Sequence, residues 1–398
     1  MIRSLPNTLG ALGVAFLLGF PLLYAGGNYD YVMHLWITAF FYAILASSWA
    51  LLAGYGGQFS FGHMAFMALG AYAAGLLDNY VLLSSAPTET CTQIGLFGGW
   101  VVFVNPTGVS TSAVNCLQAA RAVWPEGVTT SRLPMILSIL LGAGVGGAFG
   151  WLIGTLVLRL RAAYLALFTV GFSEILRAAI SAEVWLTRGQ AGLPMSPIFP
   201  DGVTILGTFY ASNAKLPVYY VMLGLFLLTL VILISLARSR IGLFLRALRE
   251  DEDAAEALGV DTVKYKRTVF VVTAMIAATA GVVQGHYVGI ITPNTLILLQ
   301  MALVIAMAVI GGLENVVAAA VGAIIISFGL EFLRNDFIIF GERVDMSTWR
   351  LVFFGLLLML TLRFLRNGVI HGGLLWLERR TVGAETVAKR RAGAEGTK

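Results

Sequence analysis

Ten apolar stretches divide this chain, at residues 9–24, 31–53, 59–77, 133–158, 164–182, 216–237, 268–288, 296–310, 316–333 and 348–365. A hydrocarbon layer about 30 Å thick is crossed by about 20 apolar residues of helix, so runs of this length read as membrane spans. Composition agrees: 58% of the 398 residues are hydrophobic and 12% are charged, with a mean hydropathy of +0.84. A soluble domain carries about 25% charged residues. The expectation is an all-α polytopic integral membrane protein of about ten transmembrane or partly re-entrant helices. The third and eighth runs read equally well as broken or re-entrant helices.

The net charge of +5 is no nucleic-acid signal, because the basic residues stand at the ends of apolar runs and not on one face. They cluster at Arg3, at Arg159 and Arg161, across 238–267, and from Arg363 to the C-terminus, and the positive-inside rule assigns all four places to the cytoplasm. Ten spans preserve that parity, with both termini cytoplasmic and residues 78–132, 183–215 and 335–347 outside. The last of these carries Asp336, Glu342 and Asp345 against Arg343, which suits the outer side. Arg3, a short apolar run and Ala25-Gly26-Gly27 have the form of a cleavable leader, but a retained span is expected because the next span follows at once. Residues 1–367 then form the membrane portion, and 368–398 a basic amphipathic cytoplasmic tail. In that tail Ile370, Leu374, Leu375, Trp376 and Leu377 have the pattern of a surface-lying anchor. The two cysteines, Cys91 and Cys116, both fall in the long outer segment, where they are a candidate disulfide, with two unpaired thiols as the alternative.

The chain has no G-x-x-x-x-G-K-[ST] loop and so no recognisable nucleotide site; any energy from ATP must come from a partner. His34, His63, His286 and His371 are dispersed without metal-ligand spacing, and no nucleophile, acid and base assemble. No catalytic role, metal or bound cofactor is therefore expected. Two glycine-rich turns, at residues 54–63 and 311–315, each separate apolar runs. Unwound backbone at membrane depth is tolerated where it is buried in protein or lines a watery path. Gly57, Gln58, Ser60, Gly62 and His63 are accordingly expected to line a translocation path, the alternative being tight turns and small-residue helix packing. Glu174 joins the path candidates as an ionisable residue inside a span. Its spacing of i, i+3 from Arg177 also permits a self-neutralising structural pair, and Glu331 and Arg334 repeat that spacing near an outer helix end.

A hydrophilic island at residues 238–267 interrupts the apolar pattern. Glu250, Asp251, Glu252 and Asp253 load the first turn of a short helix with negative charge, and Gly259 supplies a residue fit for the left-handed C′ position. Asp251, Ala254, Ala255 and Leu258 fall at i, i+3, i+4 and i+7, so a small-residue face is expected to receive a partner closely. The alternative is a cytoplasmic loop kept soluble by its charges.

Three stretches carry a family resemblance: GYGGQFSFGHMAFMALGAYAAGLL from Gly54, YLALFTVGFSEILRAAISAEVWLTRGQAGL from Tyr164, and RALREDEDAAEALGVDTVKYKRTVFVVTAMIAATAGVVQGHYVGIITPNT from Arg246. With them the chain resembles, over residues 42–365, the LivM-type permease subunits of branched-chain amino acid ABC importers; the outer insertion around 91–116 departs from the family's shorter loops. The resemblance implies a type II ABC importer-like permease in the bacterial inner membrane. It implies that Arg249, Glu250, Asp251, Ala254, Ala255, Leu258 and Gly259 form a coupling helix resting on a cytoplasmic ATPase. It also implies a LivH-like second permease, LivG- and LivF-like ATPases that hold ATP and Mg, and a periplasmic substrate-binding protein. Hydrophobic amino acids are the implied cargo; similar permeases handle urea, short amides and small carboxylates. The rival from another class is an ion-coupled secondary transporter with Glu174 and His63 as a proton relay.

Overall fold

The computed structural model describes residues 5–24, 28–83, 93–96, 99–103, 135–158, 162–205, 207–334, 337–339, 342–344 and 346–364, with Gly368 and Gly372. Cys91, Cys116, Arg159, Arg161 and the tail beyond Gly372 lie outside these residues. The helices are α1 (Leu5–Leu23), α2 (Tyr29–Ala50), α3 (His63–Asn79), α4 (Met135–Val157), α5 (Ala162–Ala182), α6 (Val184–Thr187), α7 (Lys215–Arg238), α8 (Arg240–Glu250), α9 (Glu252–Ala257), α10 (Thr262–Val288), α11 (Leu298–Gly311), α12 (Val316–Phe332) and α13 (Met346–Phe364). Each of the ten apolar runs is carried by a helix, and the protein is an all-α polytopic membrane protein. Among the described residues five helices are long and apolar enough to cross a membrane, or six if α11 and α12 count as one broken span. That pair bends by 118° where the eighth and ninth runs meet. The bend follows from local chemistry: Gly312 takes φ 128°, and Asn315 caps α12 by accepting from the amides of Val317 and Ala318 at 2.9 and 3.3 Å.

The chain forms two compact units, one of Met1–Gly57, Lys215–Glu250 and Leu303–Lys398, the other of Gln58–Ala214 and Asp251–Ala302. In the first, α2 is the buried centre. Phe40 of α2 stacks on Phe226 of α7 with centroids 5.4 Å apart, and Trp36 meets Phe328 of α12 edge-on at 4.8 Å. Pro21 inside α1 has no amide to give to the carbonyl of Leu17, and the Tyr219 hydroxyl of α7 donates to that carbonyl at 2.7 Å instead. A broken helical bond thus becomes the tie between two helices. Beyond Ala50, α2 widens into a π-helical turn, Leu51–Tyr55.

In the second unit α10 packs against both α3 and α4, which also touch each other, and small residues bring the backbones together. A Cβ on Gly70 of α3 would stand 2.5 Å from the carbonyl oxygen of Ala278, and one on Gly150 of α4 would stand 2.7 Å from the Cβ of Ala274. Gly142, Gly146 and Gly150 repeat every fourth residue on the buried side of α4. Helices in lipid gain little from apolar burial against one another, so close van der Waals packing through such residues holds the bundle. At one end Leu193 and Pro194 pair with Ile291 and Ile290, and the amide and hydroxyl of Ser196 both donate to the Asp78 carboxylate.

Candidate functional site

In the second unit, the turn before α3 is built by side-chain bonds. Thr169 of α5 receives the amide of Phe61 at 2.9 Å while its own hydroxyl donates to the carbonyl of Leu165 at 2.9 Å. The hydroxyl of Ser60 receives the amide of Gly62 at 3.2 Å. Gln58, Ser60 and His63 are all buried, at 3%, 0% and 1% exposure. Both polar atoms of the Gln58 amide and both ring nitrogens of His63 have no partner among the described residues. A buried polar group without a partner costs about 1–3 kcal/mol, and four such atoms fall within six residues here. Thr169 was invisible to sequence reasoning, since only the fold brings residues 61 and 169 together.

Glu174 is placed differently. Its carboxylate accepts from the Arg177 guanidinium of the same helix at 2.8 Å, with the two side chains 40% and 32% exposed. The buried polar residues of α5 are Thr169 and Ser173. Glu331 and Arg334 pair likewise at 3.2 Å in the first unit, where the Tyr31 hydroxyl also donates to Glu331 at 3.0 Å.

The hydrophilic island folds as three helices with two sharp breaks. Asp251 caps α9 by accepting the amide of Ala254 at 3.0 Å, and Asp261 caps α10 by accepting that of Lys264 at 2.9 Å. Between them Gly259, at φ 83°, closes α9: its amide reaches the carbonyl of Glu256 at 2.9 Å, and the Val260 amide reaches that of Ala255 at 3.1 Å. These are the paired bonds of a Schellman stop. Within the same unit Lys266, buried at the start of α10, forms an ion pair with Glu252.

The expected docking face needs correction at one residue. Ala255 is 5% exposed and belongs to the protein's interior, whereas Asp251 and Ala254 are exposed and Leu258 is 85% exposed. Ala255 stands about 100° round the helix from Ala254, which is enough to turn it inward on so short an element. Among residues 251–259 only Ala255 is buried, so Asp251, Ala254 and Leu258 remain exposed together with the rest of the segment. Arg249 and Glu250 end α8, and Arg249 turns back on its own unit, bonding the carbonyl of Gly54 and the carboxylate of Glu314. Gly57 takes φ 64°, so the position suits glycine. Among the described residues no cluster of three or more His, Cys, Asp or Glu side chains is arranged to hold a metal.

The family model described as branched-chain amino acid transport system / permease component matches residues 31–362. The high-affinity branched-chain amino acid transport system permease protein LivM of Salmonella typhimurium is 31% identical over 228 residues, covering 52% of this chain and 54% of that protein. The LivH permease protein of the same system and organism is 28% identical over 246 residues, covering 60% of this chain and 77% of that protein. A probable LivM of Methanocaldococcus jannaschii is 25% identical over 337 residues, 83% of this chain and 90% of that one. The match spans about half the length of the Salmonella typhimurium LivM. No solved structure matches the chain. The chain belongs to the branched-chain amino acid transport permease family, and the LivM resemblance of its sequence is matched by LivM relatives.

Proposed function

We propose, from the premise of that family membership, that this chain is one of two unlike membrane subunits of an ATP-driven importer of branched-chain or other hydrophobic amino acids. The observation that carries the reading is α9: a short helix capped at both ends, set between α8 and α10, with Leu258 bared to solvent. A solvated loop has no need of two caps and an exposed leucine. In this reading Arg249, Glu250, Asp251, Ala254, Leu258 and Gly259 belong to the segment through which a cytoplasmic ATPase acts, with Asp251, Ala254 and Leu258 as the contact face. Ala255 supports that face from beneath. ATP and Mg are held by two such ATPase subunits, this chain binding no cofactor and catalysing no reaction. A LivH-like permease completes the membrane part, and a periplasmic binding protein delivers the amino acid. The chain resides in the bacterial inner membrane with both termini cytoplasmic.

Gln58 and His63, with Gly57, Ser60 and Gly62, belong to the lining of the path in this reading; the amide of Gln58 and the ring of His63 are free to exchange bonds with a passing ammonium or carboxylate group. The pairing of Glu174 with Arg177 on the same helix favours a structural role for this carboxylate over a place in an ion-coupled relay. Permeation of urea or short amides uses the same machinery and differs only in the receptor. Purification of the tagged chain from its native membrane should recover an ATPase pair and a second permease. The cognate receptor, tested by calorimetry against leucine, isoleucine, valine and urea, should bind the amino acids. Recovery of the chain without an ATPase, together with uptake that survives ATP depletion, refutes the proposal.

A further inference from the structure

We propose that Arg249 is a positioning residue that fastens the end of α8 to the glycine-rich end of α2 and to the turn between α11 and α12. In that role it passes a displacement of the adjoining docking segment into the membrane part. The inference rests on the transport reading above. It departs from the expectation that Arg249 itself touches the ATPase.

The geometry lies wholly within the first unit. One terminal nitrogen of Arg249 donates to the carbonyl of Gly54, and the other donates to Glu314 Oε1 at 2.9 Å. The last carbonyls of a helix lack amide partners, and Gly54 stands in the π-helical turn where α2 ends. Three residues earlier on α8, the Arg246 guanidinium lies 4.6 Å from the centre of the Tyr55 ring, so successive turns of α8 grip successive residues of that turn. Leu245 and Leu248 are buried alongside. Space is tight at Gly54, where a Cβ would overlap the carbonyl of Leu313, and Gly57 lies in ordinary contact range, a Cβ there standing 3.5 Å from Arg249 Cγ. Three pieces of chain therefore meet at one guanidinium.

Stability alone does not explain the arrangement. The Arg249 and Glu314 side chains are 35% and 52% exposed, and ion pairs this wet contribute little to folding. The guanidinium fork instead fixes two acceptors in one plane, which a lysine ammonium on a flexible stem does less well. The chain passes directly from Glu250 of α8 into Asp251, the cap of the proposed docking helix. A push there has α8 as its covalent continuation, and Arg249 is where α8 holds the ends of the membrane helices.

The test uses the complete complex in proteoliposomes, measuring leucine-stimulated ATP hydrolysis and radiolabelled leucine uptake for Arg249→Gln, Arg249→Lys, Glu314→Gln and the double exchange Arg249→Glu with Glu314→Arg. For Arg249→Gln, leucine taken up per ATP hydrolysed should fall about tenfold, within the usual span of coupling between sites. Arg249→Lys should fall less, and Glu314→Gln least, because the carbonyl bond survives there. The double exchange restores an ion pair without the bond to Gly54 and should remain uncoupled; a merely structural ion pair would be rescued by it. Wild-type uptake per ATP in Arg249→Gln, or full rescue by the double exchange, overturns the inference. If Arg249→Gln does not assemble, Arg249→Lys decides, and full coupling in that variant overturns the inference equally. Failure of the wild-type complex to drive leucine uptake refutes the transport reading instead, and is seen before any variant is compared.

Discussion

Single side chains in the island divide cleanly by which way they face. Ala255 is buried, so Ala255→Arg forces a long charged side chain into packed space; overpacking alone costs about 1–3 kcal/mol, and the buried charge adds to it. The expected result is a lower melting temperature of the detergent-solubilised chain and poor recovery of the complex. Leu258→Asp, at an exposed position, should leave that melting temperature within a degree or two. It should weaken retention of the ATPase on a tagged-chain affinity column; equal retention removes Leu258 from the docking face. Glu174→Gln removes the charge that pairs with Arg177, and as a half-exposed pair it should lower assembly slightly without changing which amino acid is carried. Competition uptake assays with unlabelled isoleucine, valine and urea check this, and altered selectivity at normal protein level would move Glu174 into the path.

At the scale of elements, the α3, α4 and α10 layers depend on glycine where backbones touch. A Cβ on Gly281 of α10 would overlap the carbonyl of Met67, so Gly281→Val cannot be absorbed by moving a side chain tip. The two helices must separate, and the variant should aggregate on size-exclusion chromatography in mild detergent while Gly144→Val, at a position open to its surroundings, should not. The stop at Gly259 was legible from sequence because such a cap acts within three residues of itself; the breaks at Asp251 and Asp261 were not, since an aspartate at a cap and one in a first turn look alike in sequence. The inward turn of Ala255 was not, since Ala254 and Ala255 are chemically identical and only the surroundings distinguish them. The bend between α11 and α12 was half legible, its glycines announcing a turn but not an angle of 118°.

For the whole molecule, alternating access exposes a path lining to one side at a time, so single cysteines replacing Gln58 or Ser60 should react with small thiol reagents at rates that change when ATP is added to the assembled complex. A cysteine at Leu140, an exposed apolar position on α4, should show no such change. Reaction rates at Gln58 and Ser60 that ignore ATP would leave their burial a matter of packing alone.

What the sequence by itself determined is whatever depends on near neighbours: that ten apolar runs become helices, that the short helix of the island stops at Gly259, and that Glu174 finds Arg177 one turn away. Length, capping and spacing suffice for these, because the free energy that decides them is exchanged within a few residues or with the bilayer as solvent. Only the tertiary structure decided that Thr169 holds the turn before His63 and that Arg249 meets a carbonyl 195 positions away and a carboxylate 65 positions away. No local pattern marks such partners. The choice is made when whole helices pack, where a missing side chain at Gly54 or Gly281 lets one backbone approach another and so fixes which distant groups fall within bonding reach.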